Sequence, residues 1–130
     1  MAAGSTAREL PYQVVHFLRK SIGISDLGNE VEVGKIPAGA TILKPLSGVN
    51  VDVVFNAGST NVLDIGTDAN DDLYATDLAL GSIAFVPLDE AVAMTVSAET
   101  TITATPAATG TAATTGSAEV VIAYIPDSDK

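Results

Sequence analysis

The segment VNVDVVFNAGSTNVLDI, residues 49–65, decides the fold class. Every second residue from Val49 to Phe55 is apolar, which is the period of a β-strand with one face on a core. Residues 56–60 have the composition of a turn, and residues 61–65 are typical of a second strand. The segment therefore predicts a β-hairpin within an all-β protein.

Short strand-like segments separated by turn residues continue on both sides of this hairpin. The predicted strands are residues 12–22, 30–33, 41–44, 49–55, 61–65, 82–88, 91–105 with a break near Glu99, and 119–125. Residues 12–22 carry apolar side chains on both faces, so we expect this strand to be buried on both sides. Residues 68–80 have a composition compatible with one short helix, and the polar residues 70–72 are suited to capping its start.

About eight strands with at most one short helix predict an all-β fold, either a sandwich or a barrel. We favour a β-sandwich of the jelly-roll type, which is built from eight strands. A chain of 130 residues is long enough for one domain. Residues 1–10 are predicted to be an N-terminal arm, residues 11–125 a single β-sandwich domain, and residues 126–130 a polar C-terminal tail.

The composition joins high apolarity to few charges. Hydrophobic residues make up 47% of the chain and charged residues 17%, with a net charge of −10. A small core rarely hides that much apolar surface, so we expect part of it to lie in interfaces between subunits. The negative charge disfavours a nucleic-acid partner, and the absence of cysteine excludes disulfides and thiolate metal sites.

Neither the N-terminus nor the longest charge-free stretch indicates targeting to a membrane. The N-terminus lacks a basic segment followed by an apolar core, so no signal peptide is predicted. The longest charge-free stretch, between Glu99 and Glu119, is rich in Thr, Ala and Gly and is too polar for a spanning helix. We expect a protein that is made in a cytoplasm and has no membrane partner.

The negative charge is concentrated in the second part of the chain. Residues 1–44 hold five basic and four acidic residues, whereas the remainder holds twelve acidic residues and one lysine. One interpretation is an acidic, solvated surface that maintains solubility. The other is that the N-terminal part docks on an acidic partner, and its docking candidates are then Arg8, Arg19, Lys20, Lys35 and Lys44.

Little in the sequence indicates catalysis. His16 is the single imidazole and lies within a predicted strand, so we interpret it as a structural residue, and a multi-histidine zinc site is impossible within one chain. No glycine-rich phosphate loop is present, and no spacing singles out a catalytic pair of carboxylates. We predict neither enzymatic activity nor a cofactor.

One acidic motif has partial metal-ligand spacing. Asp68, Asn70 and Asp72 match the first three ligand positions of an EF-hand loop, but the match ends there. Leu73 stands where the loop needs glycine, and Ala79 stands where it needs a bidentate glutamate. A Ca²⁺ site of another class and a solvated turn with side chains that cap backbone groups are both open interpretations.

Three motifs carry a resemblance to a known family. They are VGKIPAGATI at residues 33–42, FNAGSTNVLDIGT at residues 55–67 and GSAEVVIAYI at residues 116–125. Over residues 31–125 the chain resembles small virion proteins of tailed bacteriophages, of the head decoration or cement (head-fibre-base) type. The resemblance implies a β-sandwich or jelly roll that oligomerises, often as a trimer, on the capsid exterior against the major capsid protein. It implies no catalytic residues.

The predicted function is therefore that of a non-enzymatic virion protein, assembled in the host cytoplasm, that decorates and stabilises the outside of a capsid. Two alternatives remain open. The same fold would serve a tail or fibre adaptor of the virion. A carbohydrate-binding module at a cell surface is the third reading, disfavoured because the chain has no Trp and only three Tyr for stacking on sugars.

Overall fold

The computed structural model describes residues 15–127, which fold into two stacked antiparallel sheets. The strands are β1 (His16–Gly23), β2 (Val31–Ile36), β3 (Thr41–Ile42), β4 (Gly48–Val53), β5 (Thr60–Gly66), β6 (Ala75–Ala79), β7 (Phe85–Pro87), β8 (Thr100–Thr109) and β9 (Ser117–Ile125). One-turn 3-10 helices follow β1 and β3, at Ile24–Asp26 and Lys44–Leu46. The predicted arm, residues 1–10, and residues 128–130 of the predicted tail lie outside the described residues.

The order of the strands is that of a jelly roll. Sheet A has the order β1-β9-β4-β7, with β3 also paired to β9, and sheet B has the order β2-β8-β5-β6. β3 and β4 follow one another along β9, so together they act as one interrupted strand. Counted in this way the sandwich has eight strands in two sheets of four, which confirms the predicted all-β sandwich.

Ser47 closes the gap between β3 and β4. The 3-10 turn Lys44–Leu46 interrupts the backbone pairing with β9. The Ser47 hydroxyl accepts the N–H of Ala123 at 2.9 Å and donates to the carbonyl of Leu43 at 2.8 Å. Ser47 and Ala123 are fully buried, so this side chain supplies a hydrogen bond that water does not replace.

The core lies between the sheets and is built from alternate residues of the strands. Its largest fully buried apolar side chains are Phe55, Ile36, Leu63, Ile65, Leu80, Ile102 and Ile122. Phe55 packs closely on Gly116, where an added Cβ would lie 2.5 Å from the ring. A glycine is required at this position because any side chain would displace the aromatic ring from the core.

The segment 49–65 does not form the predicted hairpin. β4 belongs to sheet A and β5 to sheet B, so the residues between them carry the chain across the sandwich. Asn56 holds this crossing in place, because its side-chain oxygen accepts the backbone N–H groups of Thr114 at 2.8 Å and Thr115 at 3.1 Å. The turn composition of residues 56–60 correctly predicted a change in chain direction. The hydrogen bonds of Asn56, however, go to the distant loop at Thr114 and Thr115.

Residues 68–80 contain no helix, which corrects the sequence prediction. Thr67 and Asn70 exchange backbone hydrogen bonds of 2.9 and 3.2 Å in a tight turn, and β6 follows. β6 pairs with β5 and buries Leu78 and Ala75 on the core. Tertiary pairing has overridden the helix-compatible composition of this segment.

The structure also differs from the sequence prediction in the exposure of two strand faces. β1 is an edge strand whose described part is mostly exposed, with Phe17 54% exposed on its outer side, so it is not buried on both faces. A β-bulge between Val51 and Val53 turns Val53 out of the core face that it was expected to share. The predicted strand of residues 91–105 is also shorter than expected. Residues 91–99 are irregular except for an isolated bridge between Thr41 and Thr95, and the regular strand starts with β8 at Thr100.

Candidate functional site

The two outer faces of the sandwich differ in chemistry. The sheet-A face is defined here by the outward residues Phe17, Arg19, Asn50, Phe85, Glu119 and Val121. The sheet-B face is defined by the outward residues Glu32, Lys35, Asp64, Thr101, Thr103 and Thr105. Because side chains alternate along a strand, each set points away from the core residues that lie between its members.

The sheet-A face places three apolar side chains, Phe17, Phe85 and Val121, around one ion pair. Arg19 binds Glu119 with both arms of its guanidinium, from Nε at 3.1 Å and from the terminal nitrogen at 2.9 Å. The hydrogen bond and the charge of Glu119 raise the pKa of Arg19. The pair lines a shallow depression of about 290 Å³ with Phe17 and Val121, and Phe85 lies exposed on the same face. Exposed aromatic rings beside a locally compensated charge are typical of a protein-binding surface.

The basic residues predicted to dock on a partner do not form one patch within the described residues. Arg19 lies on the sheet-A face, and Lys20 follows it on β1 and points to the opposite side of the strand. Lys35 lies on the other sheet, on the sheet-B face beside Thr101. Arg8 lies outside the described residues.

Lys44 has a local role in the fold. It lies in the 3-10 turn between β3 and β4, and its Nζ donates to the backbone carbonyl of Glu90 at 2.8 Å. This contact ties the interrupted strand to the loop that precedes β8. Its ammonium group is half-buried and already hydrogen-bonded.

The sheet-B face is acidic. Asp64 on β5 accepts the backbone N–H of Asp77 at 2.8 Å. Partial burial raises the pKa of Asp64, and the negative charges of Asp77, Asp71 and Asp72 raise it further, although the hydrogen bond from Asp77 lowers it. Four carboxylates therefore share one region of this face.

A second carboxyl contact joins the start of β2 to the acidic turn. A side-chain hydrogen bond with Asp68 raises the pKa of Glu30, as do desolvation and the charges of Asp68 and Asp71. Both side chains are exposed, so solvent screens much of the repulsion between them. Glu30 was not among the sequence candidates, since it is far from Asp68 along the chain and only the fold brings the two together.

The predicted ligands Asp68, Asn70 and Asp72 interact with different neighbours. Asp68 meets Glu30, the backbone of Asn70 pairs with Thr67, and Asp72 adds its charge to the surroundings of Asp64. Within residues 15–127, no group of three or more His, Cys, Asp or Glu side chains is arranged to hold a metal ion.

The turn of residues 67–72 lies directly on sheet B. At Gly66 an added Cβ would lie 2.2 Å from the carbonyl oxygen of Asn70, so only glycine permits this close approach. Beside it, Thr103 is 1% exposed, and the hydroxyls of Thr103 and Thr105 are buried without a hydrogen-bond partner. Thr103 thus points outward from the sheet but is covered and not solvated.

Two other features complete the surface. A groove of about 550 Å³ at one end of the sandwich is lined mainly by small residues of the segment 107–113 and by Ile24 and Leu27. His16 lies exposed at the start of β1, with its ring centroid 5.6 Å from that of Tyr124.

Among the described residues, no helix has the length and apolarity needed to cross a membrane.

The fold has a counterpart among solved structures. The chain is similar to a chain of the cyanophage Pam1 capsid asymmetric unit, with a TM-score of 0.64 and 16% sequence identity. The likeness covers 97% of this chain and 97% of the other. At this identity it shows a shared fold. No protein-family model matches the sequence, and no curated protein is significantly similar to it.

Proposed function

We propose that this protein is a non-enzymatic structural component of a bacteriophage virion that binds the outer surface of the capsid and stabilises it. The observation that carries the proposal is the likeness to a chain of the cyanophage Pam1 capsid asymmetric unit, which covers 97% of both chains. A likeness of that extent includes both sheets of the sandwich. The motifs at residues 33–42 and 116–125 support the same class of protein.

The sheet-A face is the docking surface in this proposal. Phe17 and Phe85 are 54% and 43% exposed, so covering them removes apolar surface from water. The ion pair of Arg19 and Glu119 is already compensated and brings no unpaired charge into an interface. The sheet-B face concentrates carboxylates that are costly to desolvate, so it is the face that remains in solvent.

Repetition provides the strength of attachment. A capsid presents many copies of the major capsid protein in a symmetric array, and a homo-oligomer such as a trimer engages several of them at once. Each contact is then allowed to be weak, because the second and third contacts form at a high effective concentration. Reinforcement follows because one oligomer ties neighbouring capsid subunits together.

The test is the location and the face of binding on intact particles. Particles that lack the protein are incubated with the purified full chain and imaged by electron cryomicroscopy. We expect copies across the capsid exterior with the sheet-A face inward. Copies confined to the tail or to one vertex would assign the protein to the adaptor class, and failure to bind any particle would refute the proposal.

Matched variants test the face itself. The double variant Phe17→Ser, Phe85→Ser and the charge reversal Arg19→Glu should lower occupancy on the particles at least tenfold, since both change the centre of the docking surface. The control Ile24→Ser changes a residue that is 41% exposed in the 3-10 turn after β1, away from this face, and should bind normally. Equal loss in the control would contradict docking through the sheet-A face.

A further inference from the structure

The edge strands of the two sheets, β1, β2, β6 and β7, differ in how they are protected against pairing with another chain. Edge strands carry unpaired backbone N–H and C=O groups, which natural proteins shield with irregular register, charges, proline or short length. β7 has three residues and ends at Pro87. The register of β2 shifts between Glu32 and Gly34, and β6 contains Asp77, whose φ of 53° interrupts the extended backbone. These three edges are therefore poorly suited to pairing.

β1 is regular along its whole length, His16–Gly23. Its eight residues pair with β9 without a shift of register, and they include neither proline nor a residue with positive φ. Among the described strands β1 pairs with β9 alone, so its other edge offers backbone donors and acceptors to a further strand. Of its two formally charged residues, Arg19 is paired with Glu119, so Lys20 is the charge that such a strand has to accommodate.

A second copy of β1 accommodates this charge in an antiparallel arrangement with a two-fold axis at Leu18. An axis at Arg19 or at Lys20 would place two identical charges directly opposite each other, which is unfavourable. An axis at Leu18 places this residue opposite its own copy and Lys20 opposite the imidazole of His16. No like pair of formally charged side chains then lies directly across the contact.

The exposed ring of Phe17 favours the same axis. An axis at Phe17 would leave only three residues of β1 paired with those of the second copy, whereas an axis at Leu18 pairs five. An axis at Ser21 also pairs five, but it leaves Phe17, 54% exposed, beyond the paired residues. The axis at Leu18 therefore combines the longer ladder with the burial of the aromatic side chain.

The axis at Leu18 also places Phe17 of each copy opposite Arg19 of the other, on the sheet-A face. Arg19 binds Glu119 through Nε at 3.1 Å and through its terminal nitrogen at 2.9 Å, both of which lie in the guanidinium plane. The faces of a guanidinium held in this way are suited to stacking against an aromatic ring. The partner ring would cover the depression of about 290 Å³ that Arg19, Glu119 and Val121 line.

We propose that the protein forms a two-fold dimer through antiparallel pairing of β1 with β1 of a second copy, centred on Leu18. The axis is perpendicular to sheet A, so both sheet-A faces lie on one side; this choice of axis rests on the proposed function, in which both faces bind one capsid surface. A contact between identical edges closes on two copies, which gives a dimer in place of the trimer that the resemblance implies. Two copies still engage two capsid subunits at once.

The dimer is measured on the purified full chain by sedimentation equilibrium, at about 0.15 M salt to screen the net charge of −10. Five paired residues and one ring per copy cover less than the roughly 800 Å² per partner of a standard interface. We therefore expect a monomer–dimer equilibrium with a dissociation constant of about 10–100 μM. A chain that stays monomeric at about 500 μM, or that forms trimers, would overturn the proposal.

Two matched variants locate the contact on the β1 edge. Phe17→Ser should weaken dimerisation at least tenfold. The control Phe85→Ser changes a ring that is 43% exposed on the same face but lies on the opposite edge strand, so it should dimerise like the wild type. Equal loss in both variants would show contact through the sheet-A face and refute edge pairing. Because neither measurement involves a particle, failure of the dimer is distinguished from failure of capsid binding.

Cysteine cross-linking tests the axis, since the chain has no native cysteine. Leu18→Cys lies opposite its own copy, at a Cα separation of about 4.5–5.5 Å that a disulfide spans. Lys20→Cys lies four residues along the strand from its own copy, about 13 Å away. Under mild oxidation, Leu18→Cys should form covalent dimers at least tenfold faster than Lys20→Cys. Faster cross-linking of Lys20→Cys would overturn the assigned axis.

A second cysteine pair keeps the test independent of Leu18, which packs over Gly34. His16 and Lys20 are both exposed and lie opposite each other across the proposed axis. The double variant His16→Cys, Lys20→Cys should therefore cross-link at least tenfold faster than either single variant. Equal rates in the double and single variants would refute the pairing of these two positions.

Discussion

The hydroxyl of Ser47 provides a test of how the interrupted strand is held together. Ser47→Ala removes the acceptor of the Ala123 N–H, a 2.9 Å bond in a fully buried setting. The Leu43 carbonyl keeps a partner, since the N–H of Leu46 donates to it at 3.1 Å. One buried donor is therefore orphaned, which costs about 1–3 kcal/mol.

The assay is urea unfolding at equilibrium, followed by hydrogen exchange of the Ala123 amide. We expect the free energy of unfolding to fall by about 2 kcal/mol, with a thermal midpoint roughly 5–10 °C lower. The Ala123 amide should exchange much faster than those of its neighbours on β9. The control Ser21→Ala, on the exposed part of β1, should leave stability unchanged. A loss below about 0.5 kcal/mol with an unchanged exchange rate would refute the bridging role.

Two further predictions concern the core and the acidic face. Gly116→Ala should lower the free energy of unfolding in urea by about 1–3 kcal/mol, because its Cβ would meet the Phe55 ring. The control Gly81→Ala lies in open space and should change this free energy little. Similar stabilities of the two variants would contradict the packing argument. Lowering the pH from neutrality toward the ordinary pKa values of these carboxyls, 4.5 for Glu30 and 3.8 for Asp64, should raise the thermal midpoint. The raised pKa values of the two groups make their ionised forms destabilising, and protonation relieves this. The thermal midpoint should rise as the pH falls from the raised pKa of each carboxyl to its ordinary pKa. The rise should be smaller in Glu30→Gln. A midpoint that falls over this pH range would refute the prediction.

The sequence predicted strands better than it predicted their partners. The alternation at Val49 and Val51 correctly located a strand with a buried face, because period and burial are local properties. Pairing is not local. Asn56 has the composition of a hairpin turn, but its amide binds the backbone of Thr114 and Thr115, and the chain crosses to the other sheet. No pattern in residues 49–65 distinguishes these two outcomes.

The candidate surfaces depended still more on contacts between distant residues. Arg19 was identified from its charge, but its partner Glu119 lies 100 positions away and neutralises it. The acidic motif was found at Asp68, whereas Glu30 carried no signal of its own until β2 was placed beside β8. Residue type thus selected the candidate side chains, and only the fold decided which of them meet.

The central place of β9 determines when the chain is able to fold. β9 pairs with β1 on one side and with β3 and β4 on the other, so sheet A has no continuous ladder before residues 117–125 are available. During synthesis these residues leave the ribosome late, and the earlier strands must wait for them. A nascent chain interrupted before β9 cannot complete the sandwich or its outer faces. The completed sandwich is therefore restricted to chains whose synthesis has passed residue 125.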